Sequence, residues 1–362
     1  MMMQEIHFDC RHFRGGIPCR PNKQHQVECT HCSYYEPVSI RILIIKLGAM
    51  GDVIRTTPLI PAYRKRYPGC HISWLTLTPD ILPPDGIEAI YKWNETSVFA
   101  LQHKQFDIAI NLDKEEEACI LLHRISAREK YGYIWHNNHI DAATPAAEHK
   151  LVTGLFDHIS QKNTKHYLEE IFEICHLPFE NEEYLINLNQ KLAFKWEKLF
   201  SEKAGDKKVI GLNTGCGNRW LTRLWPDEYW IEFIGMLHQA GYFPIVLGGP
   251  QEDDKNRMLS EKTGCWYPGT FSLEEFVALT QSLDVVVTQV SMMMHIAVAL
   301  KRNMVLMNNI FNKNEFFMYG RGVIVEPESG CDCYYGNSCH RERSCMYDLK
   351  PASMFTEVQK LA

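Results

Sequence analysis

The run Arg41-Ile-Leu-Ile-Ile-Lys46 passes into Gly48-Ala-Met-Gly-Asp52 and then into helical apolar spacing over residues 53–67, where Pro68-Gly69 ends it. An apolar run without alternation is what a strand buried on both faces requires, and such strands belong to parallel sheets covered by helices. The glycines allow the sharp turn, so strand, turn and helix make one βα unit. Residues 71–77 and 107–112 predict further strands, and residues 116–125 predict a helix. The plan begins again with Lys208-Val-Ile-Gly-Leu212, a polar loop, a helix over residues 226–239 and the strand Phe243-Pro-Ile-Val-Leu247. Residues 284–288 and 303–307 continue it as strands. The alternation predicts two doubly wound α/β domains in tandem, joined near residues 189–206, with ligand in the cleft where the carboxyl ends of both sheets meet.

A chain of 362 residues suits two such domains of roughly 150 residues each. Composition divides it into a cysteine-rich leader (1–37), a first Rossmann-like β/α domain (38–188), a second (189–328) and a cysteine finger with a C-terminal helix (329–362). The net charge of -6 is spread, and no Lys/Arg-rich run could track a phosphate backbone, which excludes nucleic acid as the expected partner. No apolar run reaches the roughly 18 residues of a membrane span, and the first residues lack a signal-peptide pattern, so a cytoplasmic location is expected. There the 13 cysteines stay reduced, and tight clusters read as metal ligands rather than disulfides.

Two such clusters exist. Cys10, Cys19, Cys29 and Cys32 form C-x8-C-x9-C-x2-C, and Cys331, Cys333, Cys339 and Cys345 form C-x-C-x5-C-x5-C. Four thiolates suit a structural zinc or iron site with no position open to substrate. The spacing leaves open whether the sets share one site, and the other reading is unpaired buried cysteine. No metal is expected at the reacting centre.

Chemistry is expected at the turns that follow strands. The loop from Lys46 to Asp52 presents backbone N–H groups, Gly51 among them, at a helix start, with the Asp52 carboxylate beside them. It is not a GxGxxG sequence, which disfavours a dinucleotide enzyme. Asp113, at the end of a strand, could take a proton from an acceptor hydroxyl. Either aspartate could instead only cap a helix. Thr214, Gly215, Arg219 and Arg223 follow the first strand of the second domain and are the residue types that grip a diphosphate leaving group. Ser291, Met294 and His295 begin a helix after another strand and could touch the ligand, although His295 could equally be a core residue.

The segment Arg41 to Pro58 (RILIIKLGAMGDVIRTTP) resembles the opening signature of family 9 glycosyltransferases, the ADP-heptose-dependent heptosyltransferases. The resemblance continues in order through Gly211-Leu-Asn-Thr-Gly215, Arg223-Leu-Trp-Pro226, Gly248-Gly-Pro250 and Met294-His295-Ile-Ala297, from about Ile40 to the end of the chain. It implies a GT-B fold, two Rossmann-like domains facing a cleft. It also implies a nucleoside-diphosphate heptose donor and Asp52 as the base position of the lipopolysaccharide enzymes. One departure stands out. The family's Asp-Thr-Gly-Pro-Met-His is here Val290-Ser-Met-Met-Met-His295, without the sugar-binding carboxylate, for which Asp113 is the candidate substitute. The changed motif, with Asn308-Asn-Ile-Phe-Asn312, Tyr319-Gly320 and the terminal C-x-C-Y, resembles the autotransporter heptosyltransferase branch. That resemblance implies an iron-binding cysteine finger and a protein acceptor. The expected activity is transfer of a heptose or related sugar from a nucleoside-diphosphate donor to a glycan or protein hydroxyl, and a homo-oligomer is the expected assembly. The alternative is a nucleotide-sugar-binding or scaffold protein that has lost catalysis.

Overall fold

The computed structural model describes residues 5–362; residues 1–4, the start of the leader, lie outside the described residues. The first sheet has the order β3-β2-β1-β4-β5-β6, built from β1 (Ile40–Ile45), β2 (Cys70–Thr76), β3 (Ala89–Lys92), β4 (Gln105–Asn111), β5 (Ser126–His136) and β6 (His139–Ala142). All pairs are parallel except β5 with β6. β1 lies between β2 and β4, with Ile42 opposite both Ile72 and Ile108. Its alternate side chains serve two layers. Ile42 and Ile44 join Ile54, Leu59 and Tyr63, while Leu43 and Ile45 join Leu101, Leu121 and Leu122. Each fully buried aliphatic side chain contributes about 1.5–3 kcal/mol, which explains the lack of polar alternation in this run.

The second sheet is wholly parallel, in the order β11-β10-β9-β7-β8, from β7 (Val209–Asn213), β8 (Phe243–Leu247), β9 (Val285–Gln289), β10 (Asn303–Met307) and β11 (Gly322–Val325). Ile210 and Leu212 pack with Trp230, Phe233 and Leu237 of the helix Asp227–Gln239, and with Met354 and Val358 of the helix Pro351–Leu361. Chain order reverses between β1 and β4 in one sheet and between β7 and β9 in the other. Ligands of open α/β sheets bind beyond the carboxyl ends of strands at such points.

Three details differ from the sequence expectation. The expected joint at residues 189–206 is a helix, Gln190–Ala204, capped by the Asn189 side chain, which accepts from Lys191 N and Leu192 N at 3.0 and 3.2 Å. Ala193, Trp196, Phe200 and Ala204 form its buried stripe at helical spacing. The single helix expected over residues 53–67 is two, Met50–Ile54 and Leu59–Arg66, because the Thr56 and Thr57 hydroxyls donate to Asp52 O and Ile54 O just before Pro58. The β5–β6 hairpin was not expected at all, although Asn137-Asn138, with φ of 48° and 63°, is a turn pair of the kind that reverses strands. Among the described residues no helix is long and apolar enough to cross a membrane.

Candidate active site

The cleft between the two sheets holds a cavity of about 640 Å³, continuous in its lining residues with a smaller one of about 240 Å³ on the first domain. Asp52, Arg55, Lys114, Lys150 and Arg219 line both. Asp52 comes from the first turn of the helix Met50–Ile54, and about a third of its side chain is exposed. Arg55 pairs with it at 2.7 Å while stacking over the Tyr167 ring, 3.5 Å from its centroid. Burial raises the Asp52 carboxyl, but Arg55, Lys46 and His295 outweigh it and hold the group below its ordinary range. His295 is pushed down to about 3 by burial and by Arg55, so it is neutral at physiological pH. Its ring fixes the opposite wall, since a Cβ on Gly51 would lie 2.4 Å from His295 Cδ2.

Asp113 is placed differently. It is 3% exposed, and its two oxygens accept from Lys46 Nζ and from the backbone N–H of Leu47. Burial raises its carboxyl while Lys46 and the Leu47 N–H oppose that, and burial likewise lowers the Lys46 ammonium, but Tyr167, Asp113 and Asp52 outweigh burial and raise it. The pair is charged and engaged with itself. It pins the loop that carries Gly51 and Asp52, and Asp113, which lines the smaller cavity, already accepts one hydrogen bond at each oxygen.

On the second domain the expected residues separate into three groups. Arg219 is exposed, stacks 4.3 Å over Trp220 and has no carboxylate partner among the described residues. Arg223 is 6% exposed and spends its guanidinium on the carbonyls of Trp220, Val290 and Cys216. Its role there is to hold the loop 216–220 against the start of the helix Met292–Ala299. Thr214 is fully buried, its hydroxyl donating to Asn256 Oδ1 at 2.6 Å. Gly215 and Ser291 do reach open space. They line a further cavity of about 540 Å³ with Gly248, Gly249, Pro250, Glu252, Phe271 and Met292. A Cβ on Gly215 would come within 2.2 Å of the Glu252 carboxyl, so a side chain there would have to displace Glu252. Met294 is buried and lines none of these cavities.

Several cleft residues were not found from sequence. Lys150 bridges Glu170 at 2.6 Å and Glu315 at 3.5 Å, the latter from the other domain. Lys114 donates to Lys150 O at 2.8 Å and forms no ion pair within 4 Å among the described residues, with Glu170 and Glu315 acting on it only from farther away. Burial and neighbouring Lys150 bring its ammonium down to about 8. Tyr335, from the tail, donates to Glu315 at 3.1 Å. A lysine after a strand carries no local signal of this kind; only the fold sets it beside another cation.

The two cysteine sets lie apart. The leader's four line one cavity with residues of the leader alone. In the tail, Cys331 contacts Cys345 and Cys333, and Cys333 contacts Cys339. As the side chains are placed, no group of three or more His, Cys, Asp or Glu among the described residues is arranged to hold an ion.

Residues 98–308 match the family described as glycosyltransferase family 9 (heptosyltransferase). Lipopolysaccharide heptosyltransferase 1 of Escherichia coli (strain K12) is 24% identical over 243 residues, covering 61% of this chain and 72% of that protein. Among solved structures, the glycosyl transferase family 9 protein from Veillonella parvula aligns with a TM-score of 0.68 at 19% identity, over 90% of this chain and 98% of that one. The dodecameric iron-containing heptosyltransferase TibC of enterotoxigenic E. coli, in complex with ADP-D-beta-D-heptose, aligns with a TM-score of 0.55 at 13% identity, over 89% and 76%.

Proposed function

The chain belongs to glycosyltransferase family 9, a glycosyltransferase of GT-B fold, and from that premise we propose that it transfers a heptose from ADP-heptose to a hydroxyl of a glycan or protein. The observation that carries the mechanism is Asp52: an ionised, partly exposed carboxylate on the first domain that lines the cleft opposite Arg219 of the second. The acceptor O–H loses its proton to Asp52 as its oxygen bonds the anomeric carbon. The bond from that carbon to the diphosphate oxygen breaks, and the electron pair leaves with the diphosphate. Arg219, without a carboxylate partner among the described residues, offsets that charge from the second domain. Asp113 acts through the loop it pins and is a positioning residue.

The nucleotide is assigned to the cavity around Gly215, Ser291 and Gly248-Gly249, which lies beyond the switch point of the second sheet. With Val290 in place of an acidic residue, the carboxylate of that domain that lines the 640 Å³ cavity is Glu315. We assign sugar-hydroxyl recognition to it.

The four tail cysteines, already in mutual contact, have the donor chemistry for one zinc or iron ion. Such an ion would fix the segment that places Tyr335 in the cleft, and no step of transfer passes through it. Assembly into homo-oligomers and a cytoplasmic location complete the proposal; TibC, a relative in fold, is dodecameric.

The test is Asp52→Asn. Turnover should fall by about 10²–10⁴-fold with donor affinity retained, because a general base acts in the transition state. Unchanged turnover would remove Asp52 from the mechanism.

A further inference from the structure

Residues 5–37 form a small module with almost no core. Pro21 is its only buried residue, and Ile6, Phe8 and Ile17 are at least half exposed. Its regular structure is a six-residue helix, Arg20–His25, and the 3-10 turn Cys29–His31. A helix that short has no stability of its own, and a module of this size without a core needs a cross-link or an ion to hold one conformation. The turns nevertheless bring four thiols to one place. Cys10 sits on an isolated bridge to Pro37, Cys19 caps the helix, and Cys29 and Cys32 bracket the turn, with Cys32 N donating to Cys29 O at 3.2 Å. All four are free, none lies in the protein's core, and all line a single cavity of about 350 Å³.

We propose that the leader is a second, independent metal module, in which Cys10, Cys19, Cys29 and Cys32 close as four thiolates on one zinc or iron ion. The four cysteines share one cavity, but as the side chains are placed no three of them are grouped to hold an ion; binding would close each sulfur to about 2.3 Å from the metal, each thiol releasing its proton to solvent. The gain is a fixed anchor. The module is fastened to the first domain by Arg11, which is held by Glu36 of the module at 2.6 Å and reaches Glu88 at 2.9 Å, and by Arg14, which donates to the Glu88 carbonyl. Glu88 is buried and also accepts from Arg64 and from Ile72 N of β2. The ion would therefore hold the segment that enters β1 against the edge of the same sheet. A closed four-sulfur site gives it no part in transfer, and the inference does not rest on the donor or acceptor proposed above.

Elemental analysis of the full chain, purified under reducing conditions, tests this in two backgrounds. Cys29→Ser/Cys32→Ser should lower the zinc-plus-iron content by one ion per chain, both in the otherwise unaltered protein and in Cys331→Ser/Cys345→Ser. Equal metal content with and without the leader substitutions would overturn the proposal. Because the substituted leader could unravel, the unaltered chain supplies a second reading. Iodoacetamide labelling, mapped cysteine by cysteine, should be slow at the four leader thiols in the metal-loaded protein and rapid after chelation. Equal rates in both states, or a disulfide among these four, would equally refute it.

Discussion

Asp52 and Asp113 are two carboxylates of one cleft with opposite fates. Asp113 has both oxygens committed to Lys46 and Leu47, whereas Asp52 keeps a face open beside Arg55. The two arginines divide the same way. Arg219→Ala should weaken ADP binding about ten- to hundredfold, the loss of one or two charge-assisted hydrogen bonds, with the melting temperature unchanged. Arg223→Ala leaves three loop carbonyls without their donor and should instead cost about 2–4 kcal/mol of stability in denaturant titration. Lys114 supplies a pH signature. Its folded-state value of about 8 lies below its ordinary 10.5, so between those values the unfolded chain holds a proton that the folded chain has released. Stability should rise with pH across that window, and Lys114→Met should flatten the rise relative to the parent. Sequence showed that these residue types follow strand ends. It could not show which guanidinium lies under the loop and which lies over it, because burial is a property of the packed neighbours.

At the scale of elements, the strand–turn–helix unit at residues 40–54 was legible because both of its requirements are local: apolar residues on two faces and glycine where the backbone must turn. The reason for Gly51 was not legible. It lies against His295 of the helix Met292–Ala299, 244 positions along the chain, and only the packing of the two domains brings them together. Gly51→Ala would place a methyl 2.4 Å from that ring and must push the helices apart. Overpacking of this kind costs about 1–3 kcal/mol, and a loss of turnover larger than the loss of nucleotide affinity is expected, since Asp52 moves with the helix. The broken helix at Thr56-Thr57-Pro58 and the helix Gln190–Ala204 show the same limit from the other side. Capping by Asn189 and the stripe Ala193, Trp196, Phe200 are helix signals inside the segment expected to join the domains.

At the scale of the whole molecule, loops of the second domain grip the first along one edge of the cleft. Glu315 reaches Lys150, and Asn312 donates to the carbonyls of Ser160 and Asn163 at 2.8 and 2.7 Å. Tyr334 of the tail meets the Ser160 hydroxyl at 2.8 Å, and Arg321 holds Glu183 through two bonds of 2.9 and 2.6 Å. The cleft thus sets Asp52 of one domain and Arg219 of the other around a single cavity, with Tyr335 of the tail in its lining. The two-domain plan followed from the repeated βα pattern. The contacts that set the domains face to face come from irregular loops, whose partners no periodicity announces.

The most direct measurement follows ADP-heptose in parallel through calorimetric binding and through release of ADP in the presence of acceptor, for the unaltered chain and for Asp52→Asn. The account predicts that both proteins bind ADP-heptose in preference to UDP- and GDP-sugars, and that only the unaltered chain releases ADP at a catalytic rate. Equal ADP release by Asp52→Asn, or no preference for ADP-heptose by the folded protein, would contradict it.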